Sequence, residues 1–174
     1  MNRLRKNFRV TSLALVCLLA LGSIVGFAQR QFRSGVSGRP EIKVALTGTV
    51  EREGQQLSIS KASAVKPGET LDWTITSENQ GSAPAHQYKA VGQIPRGTQI
   101  LTGSVTADGS ASVVYSIDNG KTFSAQPMIE ERQPDGSTKQ VPAPVSMYTQ
   151  IRYEWADPLA EGGKLNASYK VRVK

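Results

Sequence analysis

The chain has 174 residues with 21 lysines and arginines, 14 aspartates and glutamates, one histidine and one cysteine, for a formal charge of +7. That length holds one domain and a further segment. Arg3, Arg5, Lys6 and Arg9 crowd the start of the chain, and the 17 basic residues that remain against 14 acids leave +3, an ordinary surface that argues against nucleic-acid binding.

Met1 to Arg9 is basic without an acid, Val10 to Val25 is almost wholly apolar, and Gly26-Phe27-Ala28 places small residues at both ends of a cleavage tripeptide. These are the three parts of an export signal, so residues 1–28 are expected to be a signal peptide cut after Ala28. The competing expectation is an uncleaved anchor, because Val10 to Ala28 is nearly long enough to span a bilayer. Thr11, Ser12, Gly22, Ser23 and Gly26 dilute the run and favour cleavage. Membrane contact is expected only through this segment, and only if it stays uncut. Cys17 follows Val16 rather than a small residue, so it reads as part of the apolar run and not as a lipid-bearing cysteine. The exported part then has no cysteine, must be held by packing rather than disulfides, and points to a bacterial source. The expected address is the periplasm, the cell surface or the extracellular medium.

Residues 29–40 (QRQFRSGVSGRP) are polar, carry Gly35, Gly38 and Pro40, and read as a flexible linker. From 41 to 174 the pattern changes to a two-residue rhythm. Ile42, Val44 and Leu46 alternate with Lys43, Ala45 and Thr47, which predicts a half-buried strand. Leu57 and Ile59 predict a short second one. Lys66-Pro67-Gly68-Glu69 is a turn in which proline presets φ and glycine accepts a positive one. Leu71, Trp73 and Ile75 then alternate with Asp72, Thr74 and Thr76, which makes Trp73 the expected core anchor. After the loop Asn79 to Pro84 a partner strand ends at Ile94-Pro95. Thr98 to Leu101 opens the next, and Val113, Tyr115 and Ile117 lead into Asp118-Asn119-Gly120, a type I′ hairpin signal. Ala125 to Val145, with four prolines, is expected to be an unpatterned loop of functional or mobile character. Met147 to Trp155 and Leu165 to Val173 alternate again. The sum is an all-β chain, expected to be an Ig-like β-sandwich of about seven to nine antiparallel strands.

Several stretches carry a resemblance. Val65-Lys66-Pro67-Gly68-Glu69-Thr70-Leu71-Asp72-Trp73-Thr74-Ile75-Thr76 with Asn79-Gln80-Gly81, then Ile94-Pro95-Arg96-Gly97-Thr98, and then Leu159-Ala160-Glu161-Gly162-Gly163 before the last alternating strand are similar to the DUF11 conserved-repeat domain of bacterial surface and exported proteins. The likeness covers about Lys43 to Lys174. It implies an Ig-like sandwich without an established activity and carries over no catalytic residue. DUF11 domains commonly stand in tandem, whereas a single such domain is expected here. Ser116 to Phe123 (SIDNGKTF) also resembles the Asp-box turn of sialidase-like propellers. A propeller needs several blades, so a single box here is expected to act only as a hairpin turn.

Chemistry is hard to place on this pattern. His86 is a lone loop histidine, too few ligands for a metal site. There is no G-x-S-x-G elbow for a serine hydrolase. Glu130 and Glu131 are adjacent and would face opposite sides of a strand, while Asp108, Asp118 and Asp135 sit at glycine turns. No cofactor, metal or catalytic residue is expected. Among the aromatics, Tyr148 falls out of phase with Met147, Thr149 and Ile151. An outward Tyr148 beside Arg152 is therefore the expected binding pair. The expected function is a non-enzymatic exported module, structural or adhesive in the cell envelope. Its partners would be envelope proteins or surface polysaccharide, and its sheet edges offer places for a partner strand. The alternative is a small secreted carbohydrate-binding protein or hydrolase working through the 125–145 loop.

Overall fold

A computed structural model describes residues 38–62 and 64–174. The expected signal, its cleavage site, Cys17 and most of the linker lie outside the described residues. Ten strands follow in order: β1 (Ile42–Arg52), β2 (Gln55–Ser58), β3 (Thr70–Asn79), β4 (Lys89–Gln93), β5 (Thr98–Ala107), β6 (Ala111–Ser116), β7 (Met128–Arg132), β8 (Thr138–Pro142), β9 (Gln150–Trp155) and β10 (Lys164–Val173). One sheet has five strands in the order β2-β1-β3-β10-β5, a second has three in the order β4-β9-β6, and β7 and β8 pair with each other. Every pairing is antiparallel. The chain is thus an all-β sandwich, with eight strands in its two main sheets and a separate hairpin.

The periodicity explains which faces meet. On β9, Ile151, Tyr153 and Trp155 are buried while Gln150, Arg152 and Glu154 alternate with them. On β10, Ala167, Tyr169 and Val171 are buried in the same way. They join Val50, Leu71, Ile75, Ala90, Ile94 and Ile100 in one core. Each large side chain among them contributes about 1.5–3 kcal/mol relative to exposure.

Buried tyrosines need partners for their hydroxyls. Here those partners lie on the opposite sheet. Tyr153 on β9 donates to the Ser168 carbonyl of β10 at 2.8 Å, and Tyr169 on β10 donates to the Gln93 carbonyl of β4 at 2.6 Å. Tyr88, just before β4, donates to Ser77 Oγ of β3 at 2.7 Å, and the Trp155 indole N–H donates to the Asp108 carbonyl at 2.7 Å. Burial pushes the Tyr153 and Tyr169 phenols well above their ordinary range, so both remain neutral donors. Gly92 makes room for this arrangement: a Cβ there would stand 2.5 Å from Tyr169 Cε1.

Five expectations change. Trp73 is only half-buried, lying across Gly48 beside Ile59, and the centre of the core belongs to Tyr153, Tyr169 and Ile151. β3 and the strand after it do not pair; they lie in different sheets and meet across the core. The Asn119-Gly120 turn has two positive φ values, 58° and 86°, as a type I′ turn needs. Pairing nevertheless resumes only at Tyr115 with Ser124, because Ser116 and Asp118 side chains take up the turn's amides in place of a ladder. The 125–145 stretch is not an unpatterned loop but the β7–β8 hairpin, in register from Met128 opposite Pro142 to Arg132 opposite Thr138. Finally, β1 does not bury its apolar face along its length: Val44 and Leu46 are exposed and Val50 is buried.

Candidate functional site

The outward face of the three-stranded sheet carries Arg152. Register places Val91 of β4 and Val114 of β6 on either side of it. Phe123, in the loop after β6, lies against the guanidinium, whose central carbon is 4.0 Å from the ring centroid. This is cation–π geometry. Arg152 also pairs with Glu154, which has Lys89 Nζ 3.5 Å away. Burial opposes ionisation at Glu154, but the Arg152 and Lys89 charges outweigh it and hold its carboxyl below the usual range. Arg152 is therefore engaged within the fold from two directions.

Tyr148 does not join it. Val145–Met147 is a 3-10 turn and β9 begins only at Gln150, so the alternation that put Tyr148 outward does not extend through Met147 to Thr149. Its ring packs on Tyr115 at 4.8 Å between centroids, and burial pushes its phenol up. Tyr115 stands opposite Ile151, which is fully buried, so Tyr148 covers the core side of the sheet. Arg152 follows Ile151 and faces the other way. The expected outward pair Tyr148 and Arg152 is not assembled.

The acids of the 125–145 stretch are also separated. Glu130 accepts from the Gln140 side-chain amide across the hairpin at 3.3 Å. Glu131 stands opposite Lys139 in the register, on the other face. Asp135 accepts from the Ser137 amide and hydroxyl at 2.9 and 2.7 Å, which closes the hairpin tip and lowers its pKa. Among the described residues no three of His, Cys, Asp and Glu gather closely enough to hold a metal ion. His86 is an exposed loop residue. A depression of about 180 Å³ between β5 and the chain's end is lined by Gln99, Leu101, Arg172, Val173 and Lys174. It lies below the range of about 300–1,000 Å³ typical of small-molecule sites.

The turn motifs read from the sequence do assemble, as framework. Asn79 is fully buried and its side-chain amide is saturated: Nδ2 donates to the Ala83 and Leu159 carbonyls at 2.8 and 3.0 Å, and Oδ1 accepts from the Glu41 and Gly81 amides at 3.2 and 3.1 Å. Its backbone adds bonds with Gly162 and Gly163. One residue thus joins the entry to β1, the loop after β3 and the turn before β10. Glu69 of the Pro-Gly turn accepts from Arg52 at 2.8 Å and from the Lys66 amide at 2.7 Å, which lowers its pKa to about 2. Thr98 closes the Ile94-to-Thr98 turn through its amide and hydroxyl on the Pro95 carbonyl.

Sequence reasoning missed Phe123 as the cover of Arg152, because a contact between a loop and a neighbouring strand leaves no periodic signal. It treated Asn79 only as loop chemistry; a lone asparagine ending an apolar strand and followed by Gly81 was the available clue. Comparison of the chain with family models, curated proteins and solved structures returned no match in any of the three.

Proposed function

We propose that this chain is a non-enzymatic, exported, Ig-like module of the DUF11 kind, structural or adhesive in a bacterial cell envelope, with envelope proteins or surface polysaccharide as its partners. The observation that carries the reading is the occupation of its motif residues. Asn79, Glu69, Thr98, Ser116 and Asp118 each hold a turn or a strand end, and the phenols of Tyr88, Tyr153 and Tyr169 tie the two sheets. Side chains so engaged make a rigid body whose surface, rather than a pocket, does the binding. The basic and apolar start of the chain supports export.

The test is to locate the protein by cell fractionation and to assay it for hydrolysis of envelope polysaccharide. The expected result is an envelope or extracellular protein that binds without turnover. Hydrolysis that disappears in a Glu130→Gln, Glu131→Gln, Asp135→Asn variant would establish the hydrolase alternative and overturn this reading.

A further inference from the structure

Asn119 is the one asparagine in this chain followed by glycine. That pair has a reactivity of its own. The glycine nitrogen gives up its proton and attacks the asparagine side-chain carbonyl carbon. A C–N bond forms, the Cγ–Nδ2 bond breaks, and the amide group leaves as ammonia with the proton that the glycine gave up. Water then opens the five-membered imide at either carbonyl and leaves aspartate or isoaspartate. Asparagine and water thus become an acid and ammonia, without oxidant or reductant. Glycine has no Cβ to crowd the attacking nitrogen, and asparagine is a thermolabile residue. Asn119 is exposed, so water reaches it.

The turn opposes the first step in three ways. The first is backbone shape. Asn119 has φ 58°, which confines a non-glycine residue to the left-handed region. There Cβ approaches the residue's own carbonyl oxygen. The next nitrogen leaves the same carbonyl carbon on the opposite side, so Gly120 N points away from Asn119 Cγ. Ring closure needs the reacting atoms about 3–3.5 Å apart and aligned, and this conformer does not supply that approach. The second is the state of the nucleophile. The Gly120 N–H donates to Ser116 Oγ at 2.8 Å, which favours the protonated, unreactive nitrogen. Ser116 Oγ also accepts from the Asp118 amide at 3.2 Å and donates to Asp118 Oδ1 at 2.7 Å. Its capacity is full, and the carboxylate makes its oxygen a stronger acceptor. The third is anchorage. The Asn119 amide donates to Thr149 Oγ1 at 3.1 Å, and that hydroxyl donates to the Ser116 carbonyl at 3.1 Å. The Gln150 side chain lies over Gly120, where a Cβ would collide with it. The turn is thereby tied to the entry of β9 and does not rotate alone into a reactive shape.

We propose that Asn119-Gly120 is an imide-forming modification site that the folded turn holds shut, with Ser116 as its guard. Aspartate and isoaspartate then arise at Asn119 only in chains where this turn is open, before folding or by local unfolding. Either product sets a second carboxylate beside Asp118. Isoaspartate also adds a carbon to the backbone, which upsets the spacing of the bonds to Ser116 and Thr149. A chain modified while open is therefore left with a turn that no longer closes in the same way. A Ser116–Asp118 relay drawing the proton off Gly120 would do the opposite and speed the reaction. The Asp118 carboxyl is too weak a base for that role, since hydrogen bonds from Thr122 and then Ser116 hold it far below its ordinary range. The proposal concerns this turn alone and stands apart from the envelope reading.

The test incubates the full chain in mildly alkaline buffer and follows Asn119 by peptide mapping that separates asparagine, aspartate and isoaspartate. The folded chain is expected to convert about tenfold more slowly than the same chain in urea, or slower still. Ser116→Ala frees the Gly120 amide and is expected to convert about fivefold faster than the parent while folded. Asn79→Ala and the milder Glu69→Gln are the controls. Both weaken the sandwich, neither side chain bonds to this turn, and both are expected to keep the parent's rate. Each variant is assayed at a temperature where near-ultraviolet circular dichroism shows it folded. Hydrogen exchange at the Gly120 amide is expected to be slow in the parent and the controls and faster in Ser116→Ala. Conversion as fast in the folded chain as in urea overturns the proposal. So does an unchanged or slower rate in Ser116→Ala, the slower rate being the mark of a relay. Equal acceleration in Ser116→Ala and the controls also overturns it, since unfolding of the whole domain would then set the rate. If Ser116→Ala does not fold, the parent decides: slow Gly120 exchange with protection relative to urea supports the guarded turn, and fast exchange refutes it.

Discussion

Two hairpin loops in this chain close on an aspartate at a glycine turn, and they differ in what lies behind them. In the loop after β6, Asp118 accepts from the Thr122 amide and hydroxyl at 2.9 and 2.6 Å and from Ser116 Oγ at 2.7 Å, while Ser116 is itself buried. The Asn119 amide donates to Thr149 Oγ1 at 3.1 Å, and Phe123 packs on Arg152. β6 is joined to β9 and through it to the core. At the β7–β8 tip, Asp135 holds Ser137 in nearly the same way, but the two strands pair only with each other. An aspartate turn sets local geometry in both places. Stability depends on attachment, since a two-stranded ribbon without a buried face is marginal in water.

Substitutions at the sandwich's hydrogen-bonded ends and at the arm test this contrast. The largest effect is expected at Asn79, where three segments meet. Asn79→Ala leaves the part-buried amides of Glu41 and Gly81 and the Ala83 carbonyl without their partner, removes one of the two bonds at the Leu159 carbonyl, and should cost about 2–4 kcal/mol in urea unfolding. A loss below about 1 kcal/mol would mean that attachment does not set stability here.

Ser116→Ala is next. It removes an acceptor for the Asp118 and Gly120 amides in a buried position and should cost about 1–3 kcal/mol. It also bears on acid sensitivity. Hydrogen bonds from Thr122 and then Ser116 hold the Asp118 carboxyl far below its ordinary value of 3.8, and Arg52 holds Glu69 at about 2 against 4.5. Both are depressed in the folded state, so their stabilisation is complete above about pH 4.5 and is lost progressively as pH falls, for Glu69 through about 2 and for Asp118 lower still. Melting temperature measured between pH 6 and 2 should drop along this limb. The drop should be shallower in Ser116→Ala, since less Asp118 depression remains to lose.

The smallest effect belongs to the arm. Replacing Met128 to Pro142 with a short Gly-Ser linker, keeping Pro127 and Ala143, should move stability by less than about 1 kcal/mol. A loss above about 2 kcal/mol would make the arm part of the cooperative fold and erase the difference between the two hairpins.

The legibility of this chain follows the same division. Alternation at Ile151-Tyr153-Trp155 and at Ala167-Tyr169-Val171 is a local pattern, and it reported both strands and their buried faces. Turns at Lys66 to Glu69 and at Asn119-Gly120 were legible because proline and positive φ are single-residue properties. The β7–β8 hairpin was not legible, since its exposed sides impose no alternation of apolar and polar residues. Tyr148 was misplaced because a 3-10 turn at Val145–Met147 shifts the phase, and nothing in the residue types marks that shift.

The residues alone determined that this is an all-β chain, and where most of its strands turn, because period-two burial and turn chemistry act over neighbouring positions. Tertiary structure decided which strands share a sheet, which tyrosines reach across the core, and that Val44 and Leu46 lie beyond the opposing layer. These depend on how far one sheet extends over another, a distance set between segments far apart in the chain that no local pattern records.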